Sequence, residues 1–197
     1  PLDFRNSGKD LIQNHLTFCI LQHCAIWPER YWPQSIGVNG FVNIEGEKMS
    51  KSKGNIIPLS DMIRKFGADM VRVNIIGSSE GIDDADWRVE NLRGYRGRYE
   101  FLYDTIKQLK KAKVKKERSI DLYLQHQIEK AKKEATKHYE NVEFRSGIKN
   151  ALFETTNTLK WYLKRTDGIK NANKKILSKA LEDIVKLLAP ITPHINE

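Results

Sequence analysis

A chain of 197 residues, 40% hydrophobic and 30% charged, suffices for one good-sized core or two small ones, which excludes disorder as the whole answer. No run approaches the roughly 18 uncharged apolar residues of a membrane-crossing helix, because Thr17, Gln22 and His23 interrupt even the stretch from Leu16 to Trp27. The two cysteines, Cys19 and Cys24, lack the spacing of a zinc site; they exclude a disulfide scaffold and read as buried reduced thiols of a cytosolic protein.

The chain opens on Pro1 without a methionine or a signal-peptide pattern and closes on Asn196-Glu197 just after an apolar helix, so it is expected to be a piece of something larger. Residues 9 to 27 read as a helix whose apolar face carries Ile12, Leu16, Cys19, Ile20, His23 and Ile26, ended by Pro28. From Ser35 to Ile44, alternation around Asn39-Gly40 predicts a strand, a tight bend and a second short strand, followed by a polar loop from Glu45 to Asn55. Ser60 is expected to cap a short helix that Gly67 ends, and Asp69 to cap the next, before an acidic stretch from Glu80 to Asp86.

From Leu92 onward the apolar period is helical throughout. The stripes are Leu92, Tyr95, Tyr99, Leu102, Ile106 and Leu109; Leu124, Ile128, Ala131, Ala135 and Tyr139; Ile148, Leu152, Thr155, Leu159 and Tyr162; and Leu177, Ala180, Leu181, Ile184 and Leu188. Four such amphipathic helices joined by short polar loops predict an antiparallel bundle, with the aromatic residues, Trp161 included, in its core. The net charge of +9 is concentrated here: residues 92 to 197 carry 24 Lys and Arg against 13 Asp and Glu, residues 1 to 58 carry 6 against 5, and residues 59 to 91 carry 4 against 7. That distribution fits a surface that meets a polyanion, its densest part running from Lys107 through Lys110, Lys111, Lys113, Lys115 and Lys116 to Arg118. A solvated helix end is the alternative reading of the same run.

Chemistry is concentrated in Lys48-Met49-Ser50-Lys51-Ser52, followed by Lys53-Gly54-Asn55. Two lysines three apart, with hydroxyls beside them and a glycine behind, make a mobile cationic loop able to fold over a triphosphate. Its ammonium groups can neutralise charge on departing phosphate oxygens while hydroxyl and backbone N–H groups donate hydrogen bonds. A solvated Lys/Ser turn is the bland reading of a generic Lys-x-x-Lys, but a given pentapeptide arises by chance only on the order of once per few million positions.

This pentapeptide resembles, without a substitution, the KMSKS signature of the class I aminoacyl-tRNA synthetases. Ser7-Gly8-Lys9-Asp10, opening a helix with His15 on its second turn, is similar to the segment with which that family holds the ATP ribose, and Asn39-Gly40-Phe41 is similar to its strand end facing adenine. A carboxylate can accept from both ribose hydroxyls, and glycine lets a backbone approach the nucleotide; Asp10 as a plain helix cap is the alternative. Gly67-Ala68-Asp69, Asp86-Trp87 and Ile191-Thr192-Pro193-His194-Ile195 also resemble the family. Within it the likeness is to the leucyl type of archaea and the eukaryotic cytosol, through the run from Ser7 to Leu16 and that from Ile36 to Phe41; methionyl, isoleucyl and valyl types share the architecture.

The resemblance implies a mainly α chain with a small α/β part. Residues 1–56 would be the C-terminal piece of a parallel, Rossmann-like nucleotide-binding domain, residues 57–91 a connecting region that contacts the tRNA stem, and residues 92–197 an antiparallel helical bundle of the anticodon-binding type. It implies ATP with Mg2+ as substrate, an amino acid and tRNA, specifically tRNA(Leu), as partners, no membrane, no resident metal, and a cytoplasmic location. Lys48 and Lys51 would act on the leaving pyrophosphate. Gly8, Asp10, His15, Asn39, Gly40, Met49, Ser50 and Ser52 would bind the nucleotide, with Lys53 auxiliary. The family's His-x-Gly-His segment is absent from this sequence, so the chain by itself is expected not to aminoacylate tRNA. Two other functions fit parts of the pattern: a non-catalytic tRNA-binding module, and another nucleotidyltransferase with a Lys/Ser loop, which leaves the basic bundle unexplained.

Overall fold

The structure, a computed structural model, describes residues 3–52 and 54–197; Lys53, with its auxiliary role, lies outside the described residues. The chain divides into two compact units, Pro1–Ile56 with Ser78–Trp87, and Ile57–Gly77 with Arg88–Glu197.

The first unit is built on a parallel pair. Strand β1 (Arg5–Gly8) lies beside β2 (Ile36–Asn39), in register from Arg5 opposite Ile36 to Gly8 opposite Asn39. Parallel neighbours need a crossover, and the helical segment between them supplies it: a 3₁₀ turn at Lys9–Leu11, a π turn at Ile12–Leu16, then α1 (Thr17–Ile26). The expected continuous α-helix is thus irregular in its first two turns. Of its expected apolar face only Leu16 is buried; Cys19 and His23 are half-buried, and Ile12, Ile20 and Ile26 are exposed. Phe18 and Leu21 are also apolar and exposed, so this helix is apolar on every side and has no single face to hide. The expectation of buried thiols fails with it, since Cys24 is exposed.

Strands after the bend belong to a second sheet, because β3 (Val42–Ile44) leaves β2 and pairs with β4 (Glu47–Lys48) antiparallel and with β5 (Ala85–Trp87) parallel. Glu45 and Gly46, at φ 50° and 84°, form the two-residue left-handed turn that suits a tight hairpin. The expected polar loop therefore begins as this turn and passes into strand β4, which Lys48 ends opposite Asn43.

The second unit opens with α2 (Leu59–Phe66) and α3 (Ala68–Ile76), separated by Gly67 at φ 84°, a conformation glycine adopts at no steric cost. Neither expected cap operates. Ser60 lies inside α2, one residue past its start, with Pro58 at the cap position. Asp69 is buried in the first turn of α3, where its carboxylate accepts from the Ile195 backbone N–H at 2.6 Å and bonds His194 Nδ1 at 2.9 Å. Arg72 donates to the carbonyls of Ile191 and Pro190, so α3 clasps the chain around the short closing helix at Pro193–Asn196.

The longer helices are α4 (Val89–Gln108), α5 (Ser119–Glu140), α6 (Phe144–Ile148), continued by a π segment at Lys149–Glu154 into α7 (Thr155–Arg165), and α8 (Lys174–Leu188), after which Pro193–Asn196 is α9. Their expected stripes supply one core, with Leu92 and Ala131 buried beside it. Leu92, Tyr95, Tyr99 and Leu102, Leu124 to Ala135, Ile148 to Tyr162, and Leu177 to Leu188 are buried at the stripe positions, while Ile106 is exposed and Leu109 and Tyr139 are half-buried. Thr105 is buried in place of Ile106 and turns its hydroxyl back to the Phe101 carbonyl at 2.7 Å. Trp161 is not in the core: the buried aromatic of α7 is its neighbour Tyr162, and Trp161 is 39% exposed.

Candidate functional site

In a parallel pair, the chain leaves both strands at the same edge, where open α/β sheets place their ligands. That edge gathers the residues the sequence singles out. Gly8 ends β1 directly beside Asn39, which ends β2, so Lys9 and Gly40 begin the two connections that leave together, with Asp10 one residue on. A Cβ on Gly8 would stand 2.7 Å from Asp10 Oδ1; glycine is what lets the carboxylate fold back against the strand end. Asp10 is exposed there. The Asn39 side chain accepts from Asn6 at 3.1 Å and donates to the Gly40 carbonyl at 2.9 Å, fixing the bend from within.

A Cβ on Gly40 would overlap the Asp83 carbonyl and reach 2.6 Å from Asp84 Oδ1. This close approach lets Asp84 accept the Phe41 backbone N–H at 2.7 Å while its carboxylate pairs with Lys9 Nζ at 2.6 Å. The Lys9 hydrogen bond, then that from Phe41, hold the Asp84 carboxyl below the ordinary carboxylate value. Lys9 also donates to the Ile82 carbonyl at 3.3 Å.

Phe41 joins the Gly8-Lys9-Asp10 segment to the lysine loop. Its ring centroid lies 4.6 Å from Lys48 Nζ and 5.5 Å from Lys9 Nζ, both within reach of the negative face of an aromatic ring. The first lysine of the signature and the lysine of Gly8-Lys9-Asp10 thus converge on one side chain. Beyond Lys48 the loop is held by Asn55, which accepts the Ser50 N–H at 2.7 Å and donates to the Lys48 carbonyl at 3.1 Å. The Ser50 and Ser52 hydroxyls bond each other at 2.8 Å, and the Gly54 N–H donates to the Lys51 carbonyl at 3.2 Å with Gly54 at φ 68°. Met49 is half-buried; Lys51 and Ser52 are exposed, and among the described residues no hydrogen bond or ion pair engages the Lys51 ammonium. His15 is turned toward Arg5, 2.6 Å from its Nη2.

The edge therefore brings together Gly8, Asp10, Asn39, Gly40 and Lys48, and leaves Lys51 on an outward turn. Phe41, which sequence reasoning places only at a strand end, is the hub of the arrangement, and Asp84 and Asn55 complete it without having been assigned a role. Asn55 had a local signal, an amide directly behind a turn glycine. Asp84 had none, because 43 residues separate it from Phe41. Among the described residues, no group of three or more His, Cys, Asp or Glu side chains is placed to hold a metal ion, and no helix is long and apolar enough to cross a membrane.

In the helical unit, the basic segment after α4 is anchored rather than loose. Lys113 bridges Asn173 in parallel, the Lys174 N–H donates to the Lys113 carbonyl at 3.0 Å, and the Asn173 side chain donates to the Lys115 carbonyl at 3.0 Å. Arg118 closes the segment on Asp121, which is fully buried and also accepts from the Tyr162 hydroxyl. Burial raises the Asp121 carboxyl, but the bonds from Arg118 and Tyr162 outweigh it and leave the group below its ordinary value. Burial, with the bond to Asp121, pushes Tyr162 up to about 12. With its backbone fixed, the segment presents Lys110, Lys111, Lys113 and Lys116 to solvent.

Comparison with known proteins agrees with both parts. Residues 6–95 match the family model of class I tRNA synthetases (M), and residues 121–197 that of the anticodon-binding domain of tRNA ligase. The leucine–tRNA ligase of Pyrococcus horikoshii is 44% identical over the whole chain, and that of Archaeoglobus fulgidus 38%. The chain spans 21% and 20% of those two proteins, about a fifth of the length of the curated relatives it matches. Among solved structures, the ternary complex of Agrobacterium radiobacter K84 agnB2 LeuRS with tRNA and LeuAMS superposes with a TM-score of 0.79 at 25% identity, over 99% of this chain and 26% of that one. The chain belongs to the class I aminoacyl-tRNA synthetases, and along its full length it is a homologue of the archaeal leucine–tRNA ligases.

Proposed function

We propose that this chain supplies the signature loop and the tRNA-binding helices of a cytoplasmic leucine–tRNA ligase. The functional division is catalytic at 1–56, stem-contacting at 57–91 and tRNA-binding at 92–197. In the reaction, a leucine carboxylate oxygen attacks the α-phosphorus of Mg-ATP, the bond to the bridging α,β-oxygen breaks, and pyrophosphate leaves. The 3′-terminal adenosine of tRNA(Leu) then takes the acyl group from the adenylate and releases AMP.

The observation that carries the reading is the convergence of Lys9 and Lys48 on Phe41 at the strand-end edge, with Asp10 beside it. Asp10 is suited to accept from the ribose hydroxyls, Gly8 and Gly40 to let backbone approach the nucleotide, and Asn39 to hold the bend that faces the base. His15 and Met49 are assigned to nucleotide binding, although His15 stands against Arg5 here, and Ser50 and Ser52 are assigned to donate to phosphate oxygens. Negative charge moves onto the β- and γ-phosphates as they depart, so a cation that reaches them only then lowers the barrier. Lys51 suits that task, because its ammonium is uncommitted among the described residues and its turn has a left-handed glycine behind it, while Lys48 is held at the base of the loop.

In the complete enzyme, Lys51→Ala is expected to slow adenylate formation by roughly 10²- to 10³-fold, the range for removing one transition-state donor. Pyrophosphate exchange measures this step; a near wild-type rate would remove Lys51 from the role.

A further inference from the structure

The helical unit carries an aromatic pair that its core does not use. Tyr123 on α5 and Trp161 on α7 meet with ring centroids 4.8 Å apart and planes at 51°, yet Tyr123 is 45% exposed and Trp161 39%. Their chain neighbours Leu124 and Tyr162 take the core positions, so helix geometry sends these two rings outward. Large aromatic surface left open to water on two adjacent helices is costly and invites a partner.

The chemistry around the rings identifies the partner. Arg165, one turn after Trp161, holds its guanidinium 5.4 Å from the Trp161 ring centroid, and Lys164 shares that face by its spacing. Residues 157 to 165 of α7 contain Lys160, Lys164 and Arg165 and no acid. The one acid near Tyr123 in sequence, Asp121, is buried and already bound by Arg118 and Tyr162. Flat apolar rings beside uncompensated cations suit a group that is planar and apolar on its face and carries a negative charge a few ångströms away. A nucleotide has that construction, and an unpaired one leaves its base free to stack.

We infer that Tyr123, Trp161 and Arg165 form a stacking site for one unpaired base of a structured RNA, with Arg165 and Lys164 taking the adjoining phosphates. The inference rests on the tRNA-binding reading and adds a contact with a base to contacts with phosphates. Stacking on an aromatic side chain tolerates any base, so the site adds affinity without reading sequence.

The test is a titration of tRNA(Leu) transcript with the 197-residue chain and its Trp161→Ala and Trp161→Phe variants, each between about 50 and 200 mM salt. Trp161→Ala is expected to weaken binding about 5- to 100-fold with an unchanged salt slope, and Trp161→Phe to stay within about threefold of wild type, since a phenyl ring still stacks. Wild-type binding that is steeply salt-dependent but unaffected by Trp161→Ala would overturn the stacking site and leave the phosphate contacts standing. Equal losses in both variants would also overturn it, because stacking would not be the cause. Absence of any RNA binding by the wild-type chain would remove the tRNA reading itself, and the stacking site with it.

Discussion

At the level of single residues, glycines and buried carboxylates set the geometry more than the signature side chains do. Gly40 is squeezed against the Asp83 carbonyl and Asp84, backbone and a committed carboxylate, neither of which can swing aside. Gly40→Ala is expected to cost about 1–3 kcal/mol and to lower the unfolding midpoint of the strand unit followed by tryptophan fluorescence, since Trp27, Trp32 and Trp87 lie there; an unchanged midpoint would mean the 83–84 segment yields freely. Asp121 is the corresponding residue of the helical unit. Its folded-state pKa is below the unfolded value, so its contribution is present above about pH 4 and fades as the pH falls through the folded value. Asp121→Asn is expected to cost about 1.5–3 kcal/mol at neutral pH, and the gap between the two stability curves should narrow below about pH 4. A gap that stays constant from neutral pH to about one unit below that point would contradict this. Gly40 was singled out in the sequence as a candidate nucleotide-site residue, but the steric reason the position needs glycine was not legible, because the atoms that crowd it come from residues 83 and 84.

Elements follow their apolar periods wherever a single face can be buried, and depart from them where it cannot. The stripes of α4, α5, α7 and α8 are legible to within a residue because a 3.6-residue period leaves one way to hide the apolar side. The segment from residue 9 to 27 carries apolar residues all round, and neither its π turn nor its exposed faces follow from periodicity. Ser60 and Asp69 had the chemistry of caps, but α2 has already begun at Leu59, and Asp69 is drawn to the Ile195 N–H of α9. Two helix glycines test how far packing overrides propensity. A Cβ on Gly97 in α4 would meet nothing within 4 Å, whereas one on Gly147 in α6 would overlap the Tyr139 ring. Gly97→Ala should stabilise the unit by about 0.5–1 kcal/mol and Gly147→Ala should destabilise it by about 1–3 kcal/mol. Thermal melts moving in the same direction for both would refute this account.

Across the whole molecule, charge and chemistry are segregated: the strand unit carries the lysine loop, and the helices carry the basic excess. Under the proposed tRNA-binding role, lysine–phosphate contacts would release counterions, so affinity for tRNA should fall steeply, by orders of magnitude if about six or more phosphates are engaged, between about 50 and 200 mM salt. Affinity that does not change over that range would reduce the segment from Lys107 to Arg118 to a solvated surface. The sequence by itself determined the helical character of the second half, most core positions of its stripes and the location of positive charge, because these depend on spacing along one chain and on residue type. Only the tertiary structure decided that Lys9 and Lys48 meet over Phe41, that Asp84 holds Phe41, that Asp121 pins the basic segment and that Trp161 faces out. Each of these depends on which distant segments come within a few ångströms, and a contact between residues far apart along the chain leaves no period or spacing to be read.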